Sequence, residues 1–206
     1  TSKRFYQYAE RVKPKQYITV LNHSLRNDPL HVVTHRVQAK VKHFAEKLLS
    51  EITPKQAGDH LEFLRKASLE TEKQIEKLIS EKNQLSEIAT ARSISELIPT
   101  GHGLFLSNSM PVRDMDMYAK PMGKDIIIGG NRGASGIDGI IATTCGFANG
   151  LNKKTTLLIG DLAFLHDLNS LALSKQVRSN LIIIVINNNG GGIFSFLPIA
   201  QSPGAA

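Results

Sequence analysis

TTLLIGDL at residues 155–162 and LIIIVINNNGGG at residues 181–192 are the two stretches that decide the fold of this chain. Each contains a continuous apolar run that ends in glycine and polar residues. Uninterrupted runs of this kind are typical of strands that are buried on both faces of a parallel sheet. We therefore predict an α/β fold, in which parallel strands are flanked by helices and these two segments form adjacent strands.

Helices and strands alternate along the rest of this region, as the crossovers of a parallel sheet require. Ser86 is a capping residue type and precedes an apolar stripe at helical spacing, which predicts a helix that starts there and stops at Pro99. Further patterns predict strands at Leu104–Ser107, Ile126–Ile128, Thr156–Ile159 and Leu181–Asn187, and helices from about Ile137 to Asn149 and from about Leu165 to Leu173.

The first part of the chain carries weaker patterns. Apolar residues repeat at helical spacing over 5–12 and 37–49, and Tyr17–Leu21 is rich in strand-forming residues, which indicates part of a small α/β unit. Pro54 marks a break in this pattern. The charged residues 60–84 follow, with one thin apolar stripe, and we interpret them as a surface or connecting helix.

Composition excludes several classes of protein. The chain has 206 residues, 41% of them hydrophobic, which is enough for a packed core. Its one cysteine, Cys145, cannot form an internal disulfide. The longest apolar run, Leu181–Ile186, is far shorter than the roughly 18 residues of a membrane span, so no membrane association is expected.

The positive charge is concentrated at one end of the chain. Residues 1–50 contain ten Lys/Arg and three Asp/Glu, which accounts for the net charge of +7. No long run of like charges occurs and tryptophan is absent, so we do not expect nucleic-acid binding. Small anionic substrates fit the same charge distribution.

Three polar, glycine-rich turns follow the predicted strands, at residues 129–136, 160–162 and 187–192. Ligands of open parallel sheets bind at the carboxyl ends of the strands. Adjacent strands would bring Asp161 and Asn188 together there, and one carboxylate with one amide oxygen suits Mg²⁺, which takes its other ligands from phosphate and water. The glycines after Asn188 allow close approach of the backbone to phosphate. The pattern therefore predicts a diphosphate bound through Mg²⁺.

A simpler interpretation fits the same spacing. Asp161 could cap the helix that follows it, and Asn189-Gly190 could be an ordinary turn. Spacing alone leaves both interpretations open.

The same residues resemble the signature of thiamine diphosphate-dependent enzymes. That signature pairs Gly-Asp with a later Asn-Asn, as in Gly160-Asp161-Leu162 and Asn187-Asn188. The resemblance implies thiamine diphosphate with Mg²⁺ or Mn²⁺ as cofactors, and Asp161, Asn188 and the carbonyl of Gly190 as metal ligands. It also places Gly160 and Leu162 at the cofactor, although the family usually has glycine where Leu162 stands.

Three longer segments, at residues 108–113, 131–139 and 187–198, together resemble the 2-succinyl-5-enolpyruvyl-6-hydroxy-3-cyclohexene-1-carboxylate synthases, transferases of menaquinone and phylloquinone biosynthesis. Residues 1–4 and 26–29 resemble their middle domain. The resemblance covers nearly the whole chain and is weakest over residues 50–85. It implies three parts: 1–52, the C-terminal part of a Rossmann-like, transhydrogenase-like middle domain; 53–85, a helical connector; and 86–206, the N-terminal part of the domain that binds the cofactor diphosphate.

The activity implied by this resemblance joins 2-oxoglutarate to isochorismate with loss of CO₂. Ser109 and Arg113 would then bind a substrate carboxylate with help from Arg132, and the basic pair Lys3 and Arg4 would meet substrate carboxylates from the middle domain. From the residues alone, Lys3 and Arg4 would be interpreted as solvated terminal charges. Apolar residues around the cofactor would be Ile137, Ile193 and Phe194, for which core packing is the alternative.

The resemblance also implies that the site is incomplete in this sequence. The catalytic glutamate of the family lies in an N-terminal domain that these 206 residues do not contain, so no catalytic residue is expected here. We therefore predict an interior fragment, inactive alone, of an enzyme that is a homodimer or homotetramer in the bacterial cytoplasm or the plastid stroma. Alternatives are another thiamine diphosphate-dependent enzyme, such as an acetohydroxyacid synthase or a decarboxylase, and a non-catalytic fragment that keeps the fold.

Overall fold

The fold is seen in a computed structural model that divides into two compact units, Thr1–Leu64 and Arg65–Ala206. The boundary lies within the long helix α3 (Asp59–Ser80). The structure describes residues 3–54, 56, 58–81 and 85–196.

The first unit contains a pair of short parallel strands, β1 (Ile18–Leu21) and β2 (His35–Gln38), in which Ile18 lies opposite His35. Two helices accompany them, α1 (Lys3–Val12) and α2 (Val41–Glu51). The predicted strand and the helical stripe over 5–12 are therefore present, but the stripe predicted over 37–49 is helical only from Val41, because Val37 lies in strand β2.

Helix α3 has no buried residue along its 22 residues, in agreement with its interpretation as a surface or connecting helix. In the second unit it is joined to helix α4 (Glu87–Leu97) by a two-pronged ion pair. The guanidinium of Arg92 donates to both carboxylate oxygens of Glu72, at 2.5 and 2.6 Å. Across the described part of the chain, no helix is both long enough and apolar enough to cross a membrane.

The second unit is built on a four-stranded parallel sheet with the order β4-β3-β5-β6. Helices connect the strands in the alternation that the sequence predicts. The strands are β3 (Gly103–Leu106), β4 (Ile127–Gly129), β5 (Thr155–Gly160) and β6 (Leu181–Ile186), and the remaining helices are α5 (Met110–Tyr118), α6 (Ile140–Leu151) and α7 (Asp161–His166), with 3₁₀ segments at Leu168–Gln176 and Gly192–Phe196.

Two apolar layers enclose the sheet, because successive side chains of a strand point to opposite faces. Leu104 and Leu158 pack with Ile94 of α4 and Met115 of α5 on one face. On the other face, side chains of the same two strands pack against α6 and α7. This second layer contains Phe105, Leu157, Ile159, Ile140, Ile141, Cys145 and Ala163. The predicted α/β class with a parallel sheet is thereby confirmed.

Three predictions about the second unit differ from the structure. The continuous apolar run of β6 suggested burial on both faces, but Ile182 is 51% exposed, because β6 is the last strand of the described sheet. The predicted helix from Leu165 to Leu173 is interrupted after His166, where Asp167 leaves helical geometry. Helix α6 also begins three residues later than predicted, since Gly139 before it has a left-handed φ of 62°.

Truncation of a residue in the middle of β5 is expected to be costly. Leu157 is fully buried, so Leu157→Ala should lower the free energy of unfolding by about 2–5 kcal/mol through lost contacts and the cavity left behind. Leu97→Ala removes the same atoms from a side chain that is 79% exposed and should cost far less. Chemical denaturation of both variants measures the difference, and equal losses would contradict the layer arrangement.

Candidate cofactor and metal site

A cavity of about 160 Å³ lies at the carboxyl edge of the four-stranded sheet. It receives residues from the glycine-rich turns at 160–162 and 187–192, from Ile137 just after the turn at 129–136, and from helices α4 and α5. Eight of the predicted site residues line it: Ser109, Ile137, Gly160, Asp161, Leu162, Asn188, Ile193 and Phe194.

Asp161 connects the ends of β5 and β6. One carboxylate oxygen, Oδ1, accepts a hydrogen bond from the backbone N–H of Leu162, and the other, Oδ2, accepts one from the N–H of Gly190, both at 2.8 Å. The side chain therefore does more than cap the start of α7. It fixes the loop that carries Asn188 against the end of the neighbouring strand.

The loop after Asn188 has an unusual backbone. Asn189, Gly190 and Gly191 all have positive φ, at 64°, 84° and 63°. Glycine adopts this geometry without a steric penalty. A side chain at Gly190 would also be crowded, because a Cβ there would lie 3.3 Å from the side chain of Leu162. Leu162, which replaces the usual glycine of the family, thus packs over the loop.

The side chain of Asn188 is held by Glu87, a residue that the sequence did not point to. The amide nitrogen Nδ2 of Asn188 donates to Glu87 Oε1 at 2.7 Å, across 101 residues of sequence. Glu87 is the first residue of α4 and lines the same cavity. This contact turns the NH₂ end of the Asn188 amide toward the Glu87 carboxylate.

A second carboxyl group, that of Asp114 on α5, lies beside Glu87. Asp114 is only 5% exposed and forms a side-chain hydrogen bond with Glu87. Burial and the neighbouring negative charge of Glu87 raise the pKa of Asp114 to about 7. Asp114 therefore carries a proton in slightly acidic solution and donates it to Glu87.

The turn that carries Arg132 is organised by a buried amide. Arg132 Nη1 donates to Asn108 Oδ1 at 2.8 Å, and Asn108 Nδ2 donates to the carbonyl of Gly136 at 2.6 Å. Arg113 is anchored differently, since its guanidinium donates to the carbonyl of Ser109. Both arginines are exposed and neither lines the cavity, although Asn108 and Ser109 do.

Helix α6 begins near the same edge, but its first N–H groups are already bonded. Asp167 Oδ2 accepts from the backbone N–H groups of Ile141 and Ala142 at 2.6 and 3.2 Å. An internal carboxylate thus occupies the position at which a helix N-terminus commonly binds an anion.

Comparison with known families identifies the family of this chain. The family model described as "Middle domain of thiamine pyrophosphate" matches residues 1–106, which is half of the chain. The chain belongs to the thiamine pyrophosphate enzyme family. Thiamine pyrophosphate is thiamine diphosphate, the cofactor to which the sequence signature pointed.

Curated relatives of this thiamine pyrophosphate family member agree on one name, 2-succinyl-5-enolpyruvyl-6-hydroxy-3-cyclohexene-1-carboxylate synthase. The protein of Rubrobacter xylanophilus is 45% identical over 203 residues, 98% of this chain and 35% of that protein. Those of Prosthecochloris aestuarii and Chlorobium phaeobacteroides are 50% and 49% identical over 93% and 91% of this chain, each covering 32% of the relative. The predicted resemblance to these synthases is confirmed, and the chain spans about a third of their length.

Two predicted residues cannot be assigned to the site. Lys3 and Arg4 lie in helix α1, but their side chains are outside the described residues.

Within the part of the chain that the structure describes, no group of three or more His, Cys, Asp or Glu side chains is arranged to hold a metal ion. Cys145 is buried, as expected, and burial raises the pKa of its thiol.

The site also contains two residues, Glu87 and Asp114, that were not predicted from the sequence. The sequence pattern could have indicated Asp114, because it shares an apolar helical stripe with Pro111, Met115 and Tyr118, and a carboxylate is unusual in such a stripe. Nothing in the pattern indicated Glu87. An acidic residue just after Ser86 is the ordinary start of a helix, and its contact with Asn188 depends on tertiary structure.

Replacement of Asp114 by asparagine is expected to change how stability depends on pH. Between about pH 4 and pH 7 the folded state holds a proton on Asp114 that the unfolded state releases, so the unfolding free energy of the parent chain falls as pH rises. Asp114→Asn stays neutral and should be more stable at pH 8, by roughly 2–4 kcal/mol. Near pH 4 the two should be alike. Urea denaturation across this range measures the effect, with Asp116→Asn on the same helix as control, and a gain independent of pH would contradict it.

Ser109 is expected to be a strained position. Its φ of 70° and ψ of −133° lie in a region that non-glycine residues rarely adopt. Ser109→Gly should therefore raise the free energy of unfolding by about 1 kcal/mol. Ser93→Gly, within α4, should lower it instead, because glycine is the poorer helix former. Thermal denaturation compares the two, and a loss of stability in Ser109→Gly would show that no strain is stored there.

Proposed function

We propose that this chain forms the metal- and diphosphate-binding half of the active site of a thiamine diphosphate-dependent transferase. The proposed reaction is the decarboxylating addition of 2-oxoglutarate to isochorismate in menaquinone or phylloquinone biosynthesis. The observation that carries the proposal is the hydrogen bond between Gly190 N–H and Asp161, which brings the two halves of the cofactor signature together. The names of the relatives support the choice of reaction.

The donor groups at this edge fit Mg²⁺ or Mn²⁺. Each carboxylate oxygen of Asp161 accepts one hydrogen bond and keeps further lone pairs for a cation. The amide nitrogen of Asn188 is occupied by Glu87, so its oxygen Oδ1 is the atom available to a metal. With the carbonyl of Gly190 these groups would supply three oxygen ligands to Mg²⁺, and phosphate and water would supply the others.

The same loop is the place for the diphosphate. Its two successive glycines with positive φ let the backbone come close to a phosphate group. The start of α6 is a poorer candidate, because Asp167 already holds the N–H groups of Ile141 and Ala142.

The remaining residues have roles that follow from their chemistry. Thiamine diphosphate, when bound, supplies the electron sink for loss of CO₂. Ile137, Ile193 and Phe194 line the cavity and would exclude water beside the reacting carbon. Arg113 and Arg132 would pair with substrate carboxylates through their planar donor groups, and Ser109 would contribute to the same site.

Other parts of the enzyme would complete the site. These 206 residues span about a third of the synthases they match. The resemblance implies that the glutamate that activates the cofactor lies in another domain. We expect that domain to come from a neighbouring subunit of a dimer or tetramer. The 206-residue chain is therefore expected to bind cofactor and metal weakly and to release no CO₂ from 2-oxoglutarate.

Binding can be tested without turnover by using Mn²⁺ as a paramagnetic probe. In a ¹⁵N-labelled chain with thiamine diphosphate, substoichiometric Mn²⁺ should broaden the amide signals of Leu162, Asn189, Gly190 and Gly191 before others. The expected cause is proximity to the ion held by Asp161 and Asn188. Asp161→Ala should abolish this selective broadening.

The control is Asp116→Ala, which removes an exposed carboxylate that does not line the cavity. It should leave the broadening pattern unchanged. The metal assignment would be refuted if only amide signals near other surface carboxylates were broadened, or if the selective broadening survived in Asp161→Ala.

A further inference from the structure

We propose that Glu87 is a positioning residue of the metal site: it holds the amide of Asn188 so that the oxygen Oδ1 faces the cation position. The inference rests on the proposed function, because it concerns the ligand set proposed there. It adds a residue from the start of α4, far from both parts of the cofactor signature in sequence.

The geometry of the contact determines the orientation of the amide. Glu87 Oε1 and Asn188 Nδ2 are 2.7 Å apart. A carboxylate only accepts hydrogen bonds, so it selects the NH₂ end of the amide and leaves the oxygen on the other side. A free asparagine side chain can turn either end toward a cation, and the NH₂ end would repel it. Fixing the amide removes this unproductive orientation before the metal binds.

Gly192 leaves the space in which the amide of Asn188 lies. A Cβ atom at Gly192 would lie 2.6 Å from Nδ2 of Asn188 and 3.2 Å from its Cγ. The amide therefore occupies space that only glycine leaves open. Contacts with Glu87 and Gly192 together define where this side chain lies.

One contact holds the side chain of Glu87 directly, and two others hold the helix that carries it. Ser86 caps α4 by accepting the N–H of Ala89 at 3.1 Å. Asp114 forms its side-chain hydrogen bond with Glu87. Further along the helix, Arg92 binds α4 to Glu72 of α3. A group that is fixed before the ligand arrives loses less conformational entropy on binding, which is what a positioning role requires.

Two substitutions separate the reach of Glu87 from its charge. Glu87→Asp keeps the negative charge and an acid suited to a helix start, but withdraws the acceptor by one methylene group. Glu87→Gln loses the charge but keeps an oxygen that can accept from Asn188. In the Mn²⁺ and thiamine diphosphate titration of the full chain, Glu87→Asp should weaken the apparent Kd for Mn²⁺ roughly 10- to 100-fold, the range for residues that support metal ligands. Glu87→Gln should stay within about threefold of the parent chain.

Glu96→Asp and Glu96→Gln are the matched controls. Glu96 is on the same helix but pairs with Lys120 instead of Asn188, so neither change should alter Mn²⁺ binding. Circular dichroism and thermal denaturation check that each variant is folded.

The outcomes distinguish this inference from the proposed function. If Asp161→Ala abolishes Mn²⁺ binding but Glu87→Asp binds like the parent chain, the positioning role is overturned and the metal site stands. If Glu87→Gln binds as poorly as Glu87→Asp, an acceptor of the right reach does not preserve Mn²⁺ binding, which also overturns the positioning role. If the parent chain and Asp161→Ala bind Mn²⁺ alike, the proposed function fails and the inference falls with it.

Discussion

The hydrogen bond from Gly190 N–H to Asp161 Oδ2 is the contact on which the rest of the site depends. It is possible because β5 and β6 are adjacent parallel strands that end at the same level, with Gly160 opposite Ile186. Parallel neighbours lie about 4.8 Å apart, so a side chain just beyond one strand reaches the backbone just beyond the other. The buried layers on both faces of β5 hold this register, and the register places the Asp161 carboxylate beside the backbone N–H of Gly190, 29 residues away in sequence.

The polar groups around this contact form a continuous network with an energetic cost. Asn188, Glu87 and Asp114 are joined by hydrogen bonds from the end of β6 to helix α5. Two neighbouring carboxyl groups, one of them buried, are unfavourable when both are ionised, and a shared proton relieves the repulsion. Strain at Ser109 adds a further cost at the same edge. Features that oppose stability are thus concentrated at the cavity, as is common at functional sites.

Local patterns in the sequence were sufficient for much of this description. The apolar runs of β5 and β6, the cap at Ser86 and the alternation of elements predicted a parallel α/β sheet, because they reflect interactions within a few residues. The interruption after His166 was missed because Asp167 leaves its own helix to bond α6, a tertiary contact. Exposure of Ile182 was missed because apolar sequence does not reveal whether a strand is covered on both faces. Glu87 was missed for a related reason: nothing near it in sequence indicates Asn188.

The packing of Leu162 over Gly190 has a consequence for how this loop can vary. The bulk of Leu162 is accommodated by the absence of a side chain at Gly190. The two positions are therefore not independent during evolution or engineering: a larger residue at one is tolerated only with a small residue at the other. Such reciprocal volume constraints appear as correlated substitutions between positions that are far apart in sequence.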